Sequence, residues 1–173
     1  KDGGTQWGSL DFSKYRCDEW LLFSDGIHNF GSDRALTGNT PVLAINSSAV
    51  ADYGRLKYVA RSSGGVFINA LQLTVDAVIK RMRYQSYQFL GAEVKSGELS
   101  EVYPSLPQAV NGQFSLAGKL SSSRAEIELK YGFGAEVLQT ETVSLDLNEH
   151  LSTSGLVSRI WAQKKLAELD LRY

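Results

Sequence analysis

The chain has 173 residues, of which 43% are hydrophobic and 21% charged, with a formal net charge of −1. That length admits one large domain or two small ones. The charges split nine basic against eight acidic over residues 1–82 and nine against eleven over the rest, which excludes a basic nucleic-acid surface and an acidic disordered tail. The single cysteine, Cys17, excludes an internal disulfide and a cysteine-based zinc cluster, and leaves the redox compartment open. No apolar stretch approaches the roughly 20 residues that a membrane-spanning helix needs. The abrupt opening Lys1-Asp2-Gly3-Gly4 reads as that of a fragment, so the lack of a signal peptide carries little information.

In chain order, Asp2-Gly3-Gly4-Thr5 marks a loop, and an irregular or weakly helical segment with Trp7, Leu10, Phe12 and Tyr15 follows it. Trp20-Leu21-Leu22-Phe23 is a continuous apolar run, the pattern of a parallel strand buried on both faces. It stops at Ser24-Asp25-Gly26 and opens into a long polar loop over 25–40, a length at which loops are often functional. Val42–Ile45 reads as a second buried strand, and Asn46-Ser47-Ser48 as a turn. Tyr53, Leu56, Val59 and Ala60 recur at helical spacing until Gly64-Gly65 stops the helix. Val66–Ile68 is a short third strand. Leu71, Val75, Val78, Ile79 and Met82 mark one face of a further helix. Strands alternating with helices predict a parallel sheet.

After Arg83 the period changes. Residues 87–93, Gln113–Leu120, Ala125–Tyr131 and Val137–Leu147 alternate with period two. Ile127, Leu129 and Tyr131 point one way, and Glu126, Glu128 and Lys130 the other. The pattern predicts half-buried antiparallel strands forming a small β-sandwich. From Thr153 to about Leu171 the chain is helical again, with one row of Leu156, Ile160, Ala167 and Leu171 and a second of Ala162, Leu166 and Leu169. A helix apolar on two sides is expected to pack against more than one element. The expected fold is therefore α/β plus all-β, in three parts: a partial Rossmann-like parallel sheet over 1–83, an antiparallel β-sandwich over 84–147, and a packing helix over 148–173.

The chemistry-bearing residues concentrate after the first strand. Asp25 lies at the carboxyl end of an expected parallel strand, where open α/β sheets place their binding crevices. Ser24, Asp25 and His28 are near neighbours on one loop and lack the Gly-x-Ser-x-Gly elbow. A hydrolase needs its triad gathered by the fold, so this reading stands behind the others. His150 reads as a solvated boundary residue and Gly132-Phe133-Gly134 as a hairpin turn. Asp25, Asn29 and Asp33 have the look of a calcium loop without its spacing or a closing Glu, and read as loop polars. Trp161 reads as a core aromatic.

Three separated motifs carry a family resemblance. Asp2-Gly3-Gly4-Thr5 followed by Leu22-Phe23-Ser24-Asp25-Gly26 resembles the second and third metal-site motifs of von Willebrand factor type A domains. Val42–Ser48, Leu56–Gly65 and Val66–Ala70 look like the last strand–helix–strand of that fold. Val102-Tyr103-Pro104-Ser105-Leu106-Pro107 with Gly112-Gln113, and Val157–Ala162, are similar to segments that follow this domain in inter-α-trypsin inhibitor heavy chains and their bacterial relatives.

The resemblance implies a metal-ion-dependent adhesion site, in which a Mg²⁺-like ion keeps an open position for a carboxylate on a protein partner. Thr5 matches the second motif and Asp25 the third; the first, Asp-x-Ser-x-Ser, is absent from the 173 residues, so this fragment alone is expected to bind no ion. The implied protein is a non-enzymatic, extracytoplasmic (cell-surface, periplasmic or secreted) adhesion module, with a structural scaffold carrying an idle site as the alternative. In the family another strand lies beside the one at 20–24. Its absence predicts an open apolar edge that copies of the fragment cover by self-association, or else a rearrangement of the first 80 residues.

Overall fold

The computed structural model describes residues 4–148 and 155–172. Asp2 and Gly3 of the first loop motif, His150, and the helix start expected at Thr153 lie outside the described residues. The chain is α/β: a three-stranded parallel sheet, antiparallel sheets of four and two strands, and three α-helices among the described residues. It divides into two compact units, the first running to Gln85 and the second spanning Ser86–Asp170, with Leu171 counted in the first.

The first unit is built on strand β2, Val42–Asn46, in which every residue is buried. Strands β1, Trp20–Phe23, and β3, Phe67–Asn69, flank it in the order β1-β2-β3, all parallel. Helix α1, Tyr53–Ser62, joins β2 to β3. It starts because Asp52 caps it, accepting from the Arg55 amide at 2.9 Å. It ends at Gly64, whose φ of +76° suits a left-handed helix stop. The spacing i, i+3, i+4 puts Leu56, Val59 and Ala60 on one buried face. That face packs with Trp7, Phe12, Val42 and Ala44, with Trp20, Leu22 and Phe67 at its margin. Each fully buried side chain of this size contributes about 1.5–3 kcal/mol. The chain passes from helix to strand without room for a side chain at Gly65, where a Cβ would fall 2.1 Å from the Val42 carbonyl oxygen. Ser63 stitches the same corner: its hydroxyl accepts from the Val42 amide at 2.9 Å.

Strand β1 departs from the expectation of burial on both faces. Trp20 and Leu22 turn onto the core, whereas Leu21 and Phe23 are 47% and 70% exposed. The reason is position: β1 is the edge of the sheet, paired with β2 alone among the described residues. Helix α2, Val75–Arg83, also departs from its pattern. The spacing is helical, and Thr74 caps it by accepting from the Ala77 amide, yet it buries no residue, and Val75 is 74% exposed.

In the second unit, β4 (Gln88–Ser96), β6 (Gln108–Ala109), β8 (Arg124–Phe133) and β9 (Glu136–Asp146) form a sheet in the order β6-β4-β8-β9, and β5 (Leu99–Tyr103) pairs with β7 (Ala117–Leu120). The period-two reading of β8 holds: Ala125, Ile127 and Leu129 are buried, while Glu126 is exposed. Phe89, Ile127 and Leu129 form the core, with Leu99, Phe114, Leu116 and Val143 packed against them. Gln113–Leu120 is strand only from Ala117, and residues 99–103, outside the expected strands, form β5.

Helix α3, Leu156–Arg172, meets this unit through polar groups and through the Trp161 ring, which lies against Tyr103. Trp161 Nε1 donates to the Glu101 carbonyl at 3.0 Å, and Lys119 and Lys165 both bind the Glu101 carboxylate while lying over the Trp161 ring. Glu168, 5% exposed, accepts from the amide and hydroxyl of Ser105. Both apolar rows depart from expectation: Leu166 and Leu169 of the second are exposed, and so are Leu156 and Ala167 of the first, because the docked side of the helix is the one carrying Trp161, Lys165 and Glu168.

On the outer face of the large sheet, Glu93 stands opposite Glu128. Two like charges in register repel, and two lysines relieve them: Lys130 binds Glu93, and Lys95 binds both. The hydrogen bond from Lys130, then that from Lys95, pulls the Glu93 carboxyl down to about 2. Its folded-state value lies below its ordinary one, so its stabilising contribution is complete above the ordinary carboxylate range and vanishes as pH falls through about 2. Carbon-detected NMR titration of the side-chain carboxyl is expected to give that low midpoint, and Lys130→Met to raise it; a midpoint unmoved by Lys130→Met would remove the pair.

Candidate functional site

Because β1, β2 and β3 are parallel, their carboxyl ends share one side of the sheet, the side on which open α/β folds gather polar groups. Phe23 is followed there by Ser24 and Asp25, and β2 and β3 end on Asn46 and Asn69, which are register partners. Asn46 is fully buried and spends its amide locally, its Oδ1 accepting from the Ser48 amide and its Nδ2 donating to the Ser48 carbonyl, both at 2.9 Å. Asn69 accepts from the Leu71 amide at 3.2 Å.

Asp25 sits in the loop immediately past β1, half-buried. Its Oδ1 accepts from the Ile27 amide at 3.0 Å, which closes a local turn, and its carbonyl accepts from the Asp52 amide at 2.8 Å. Its second carboxylate oxygen makes no hydrogen bond among the described residues. Gly26 has φ of +77°, and a Cβ there would lie 2.7 Å from the Asp52 carbonyl oxygen, so only glycine lets the loop lie this close to the start of α1. Arg55 then clamps the loop, donating to the Gly26 carbonyl at 2.8 Å while paired with Asp52 at 2.9 Å.

Thr5 lies against the same loop. Its amide donates to Asn29 Oδ1 at 3.1 Å, and its carbonyl accepts from the Asn29 amide at 3.0 Å. Asn29, four residues past Asp25, thereby ties the two segments together. The Thr5 side chain is exposed. From its sequence context Asn29 reads as a loop polar; its role comes from pairing with a segment 24 residues away, which no local pattern announces.

Ser24 and His28 are not joined. The Ser24 hydroxyl accepts from the Gly26 amide at 3.0 Å, and His28 Nδ1 is buried with no partner among the described residues. Asp33 lines a polar depression along α1 with Arg34, Asp52, Arg55 and Tyr58.

Among the described residues no three of His, Cys, Asp or Glu come together. The donors that Thr5 and Asp25 offer are hard oxygens, the type that Mg²⁺ prefers. Two such oxygens fall short of six-fold coordination, so these residues suit part of a site and do not form one by themselves. Comparison of the chain with protein-family models, with curated proteins and with solved structures finds no match.

The Asn29 tie is testable. Asn29→Ala removes the side-chain acceptor, worth about 1 kcal/mol, and is expected to speed hydrogen exchange at the Thr5 amide by about fivefold. Unchanged exchange there would show that the two segments are held by other contacts.

Proposed function

We propose that this chain is part of a non-enzymatic, metal-dependent protein-binding module of an extracytoplasmic protein. The observation that carries the reading is Asp25: a carboxylate with one uncommitted oxygen at the carboxyl end of a parallel sheet, on a loop tied to Thr5. The order of the motifs around Thr5 and Asp25, and their resemblance to von Willebrand factor type A domains, supports it further. In this reading Thr5 and Asp25 hold a divalent cation of the Mg²⁺ type together with waters and with oxygens from another segment. The bound cation supplies an electrophilic position for a carboxylate on the partner. The Asp25 turn, the Gly26 contact with Asp52 and the Arg55 clamp keep the loop rigid, so the acid is in place before the ion arrives.

Titration calorimetry with Mg²⁺ or Mn²⁺ on the full-length protein, compared with its Asp25→Ala variant, tests the reading. Loss of binding in the variant is expected, and equal binding by both removes Asp25 from the site.

The open edge of β1 supports a further element of the same proposal: copies of this chain associate there through Leu21 and Phe23. Light scattering at high concentration is expected to show a species larger than a monomer, and Phe23→Lys to return it to monomer. A strictly monomeric wild-type chain would rule this out. Among the described residues no helix is long and apolar enough to cross a membrane.

A further inference from the structure

Strand β9 is a long open edge among the described residues, and its chemistry differs from that of β1. It runs for 11 residues, Glu136–Asp146, and closes the order β6-β4-β8-β9 with β8 as its only strand partner among the described residues. Pairing to β8 is unbroken from Gln139 to Asp146, and the one irregularity falls between Gln139 and Val137. Residues 136–142 are all exposed, so among the described residues of this unit nothing covers that part of the edge. Folded proteins commonly blunt such edges with proline, lysine or short strands. Here the strand holds no proline, lysine or arginine, and Val137, Thr140, Thr142 and Val143 are the β-branched residues that favour extended backbone.

Its charges are all acidic: Glu136, Glu141 and Asp146. Arg124 pairs with Asp146, while neither Glu136 nor Glu141 forms an ion pair among the described residues. Glu141 is in register with Leu129, on the core-facing side of the sheet. A carboxylate in that position disfavours indiscriminate edge pairing. It acts most strongly against a second copy of this strand. In the antiparallel two-fold register of full overlap, Glu141 meets Glu141 and Glu136 meets Asp146, and like charges directly opposite destabilise a strand pair. A strand with basic residues at those places meets attraction instead.

We propose that the outer edge of β9 receives an extended basic segment of a partner protein as an added strand. Backbone hydrogen bonds supply the attachment, and alternate side chains supply the choice of partner. Glu141 is the discriminating residue, rejecting the strand's own copy and accepting lysine or arginine. This inference is independent of Asp25 and of any metal.

The test uses the intact chain and two synthetic peptides, one with the sequence of Glu136–Asp146 and one carrying E136K, E141K and D146K in that sequence. Amide hydrogen exchange is read along β9. The substituted peptide is expected to protect alternate amides between Gln139 and Leu145, and the native-sequence peptide to protect none. Glu141→Gln in the chain, an exposed change that leaves the circular dichroism spectrum intact, is expected to weaken binding of the substituted peptide up to about fivefold. Raised salt should weaken it too. The proposal is overturned by absence of protection along β9, by protection located elsewhere, or by equal affinity for Glu141→Gln. Equal protection by the native-sequence peptide would assign the edge to a second copy of the chain and overturn it as well.

Discussion

The first unit depends on the burial of β2 on both faces. Val42, Leu43, Ala44 and Ile45 are all within the interior, and the strand is hydrogen-bonded to a neighbour on each side. A strand so placed has no polar group left over, so its backbone must be fully paired. That requirement fixes β1 and β3 on its flanks, and α1 covers the side that carries Val42 and Ala44. The Gly65 corner and the Ser63 hydroxyl exist because helix and strand must meet with no space between them. Parallel direction then brings three strand ends together, and the polar residues there follow from that: apolar side chains fill the strands, and Asp25, Asn46 and Asn69 mark where they stop.

The candidate site inherits its rigidity from this arrangement. Asp25 lies between a strand end and a helix start, and both are anchored in the same core. Gly26, Asp52 and Arg55 fasten its loop on one side and Asn29 with Thr5 on the other. A carboxylate held on both sides loses little freedom on meeting a ligand, which is the physical advantage of building a site beyond the end of a buried sheet.

The second unit works by a different balance. Its core of Phe89, Ile127 and Leu129 is compact and apolar, but α3 is held by Trp161, Lys165 and Glu168, meeting Glu101 and Ser105. Glu101 is the centre of that contact, its carbonyl taken by the indole and its carboxylate by two lysines that also flank the ring. Lys119 and then Lys165 hold the Glu101 carboxyl below the usual carboxylate range. The sheet's outer face repeats the principle with Glu93, Glu128, Lys95 and Lys130.

Much of this architecture was legible in the residue order. The apolar run Val42–Ile45 reads as a buried strand, the spacing of Leu56, Val59 and Ala60 as one helix face, and the alternation from Ala125 to Tyr131 as a sheet strand with one wet side, and the structure has all three. Each follows from local geometry, the 3.6-residue helix and the two-residue strand repeat. Run composition did not reveal that Trp20–Phe23 sits at an edge, because a strand's place in a sheet is decided by which strands pair beside it. Nor did helical spacing show whether the apolar row of α2 or the two apolar rows of α3 would find a surface. Residue order placed Asp25 and Thr5 as candidates. The hold of Asn29 on Thr5, the clamp of Arg55 on Gly26 and the Lys119–Glu101–Lys165 cluster join residues far apart in the chain. Such contacts are set by the packing of whole elements, and only the tertiary structure decided them.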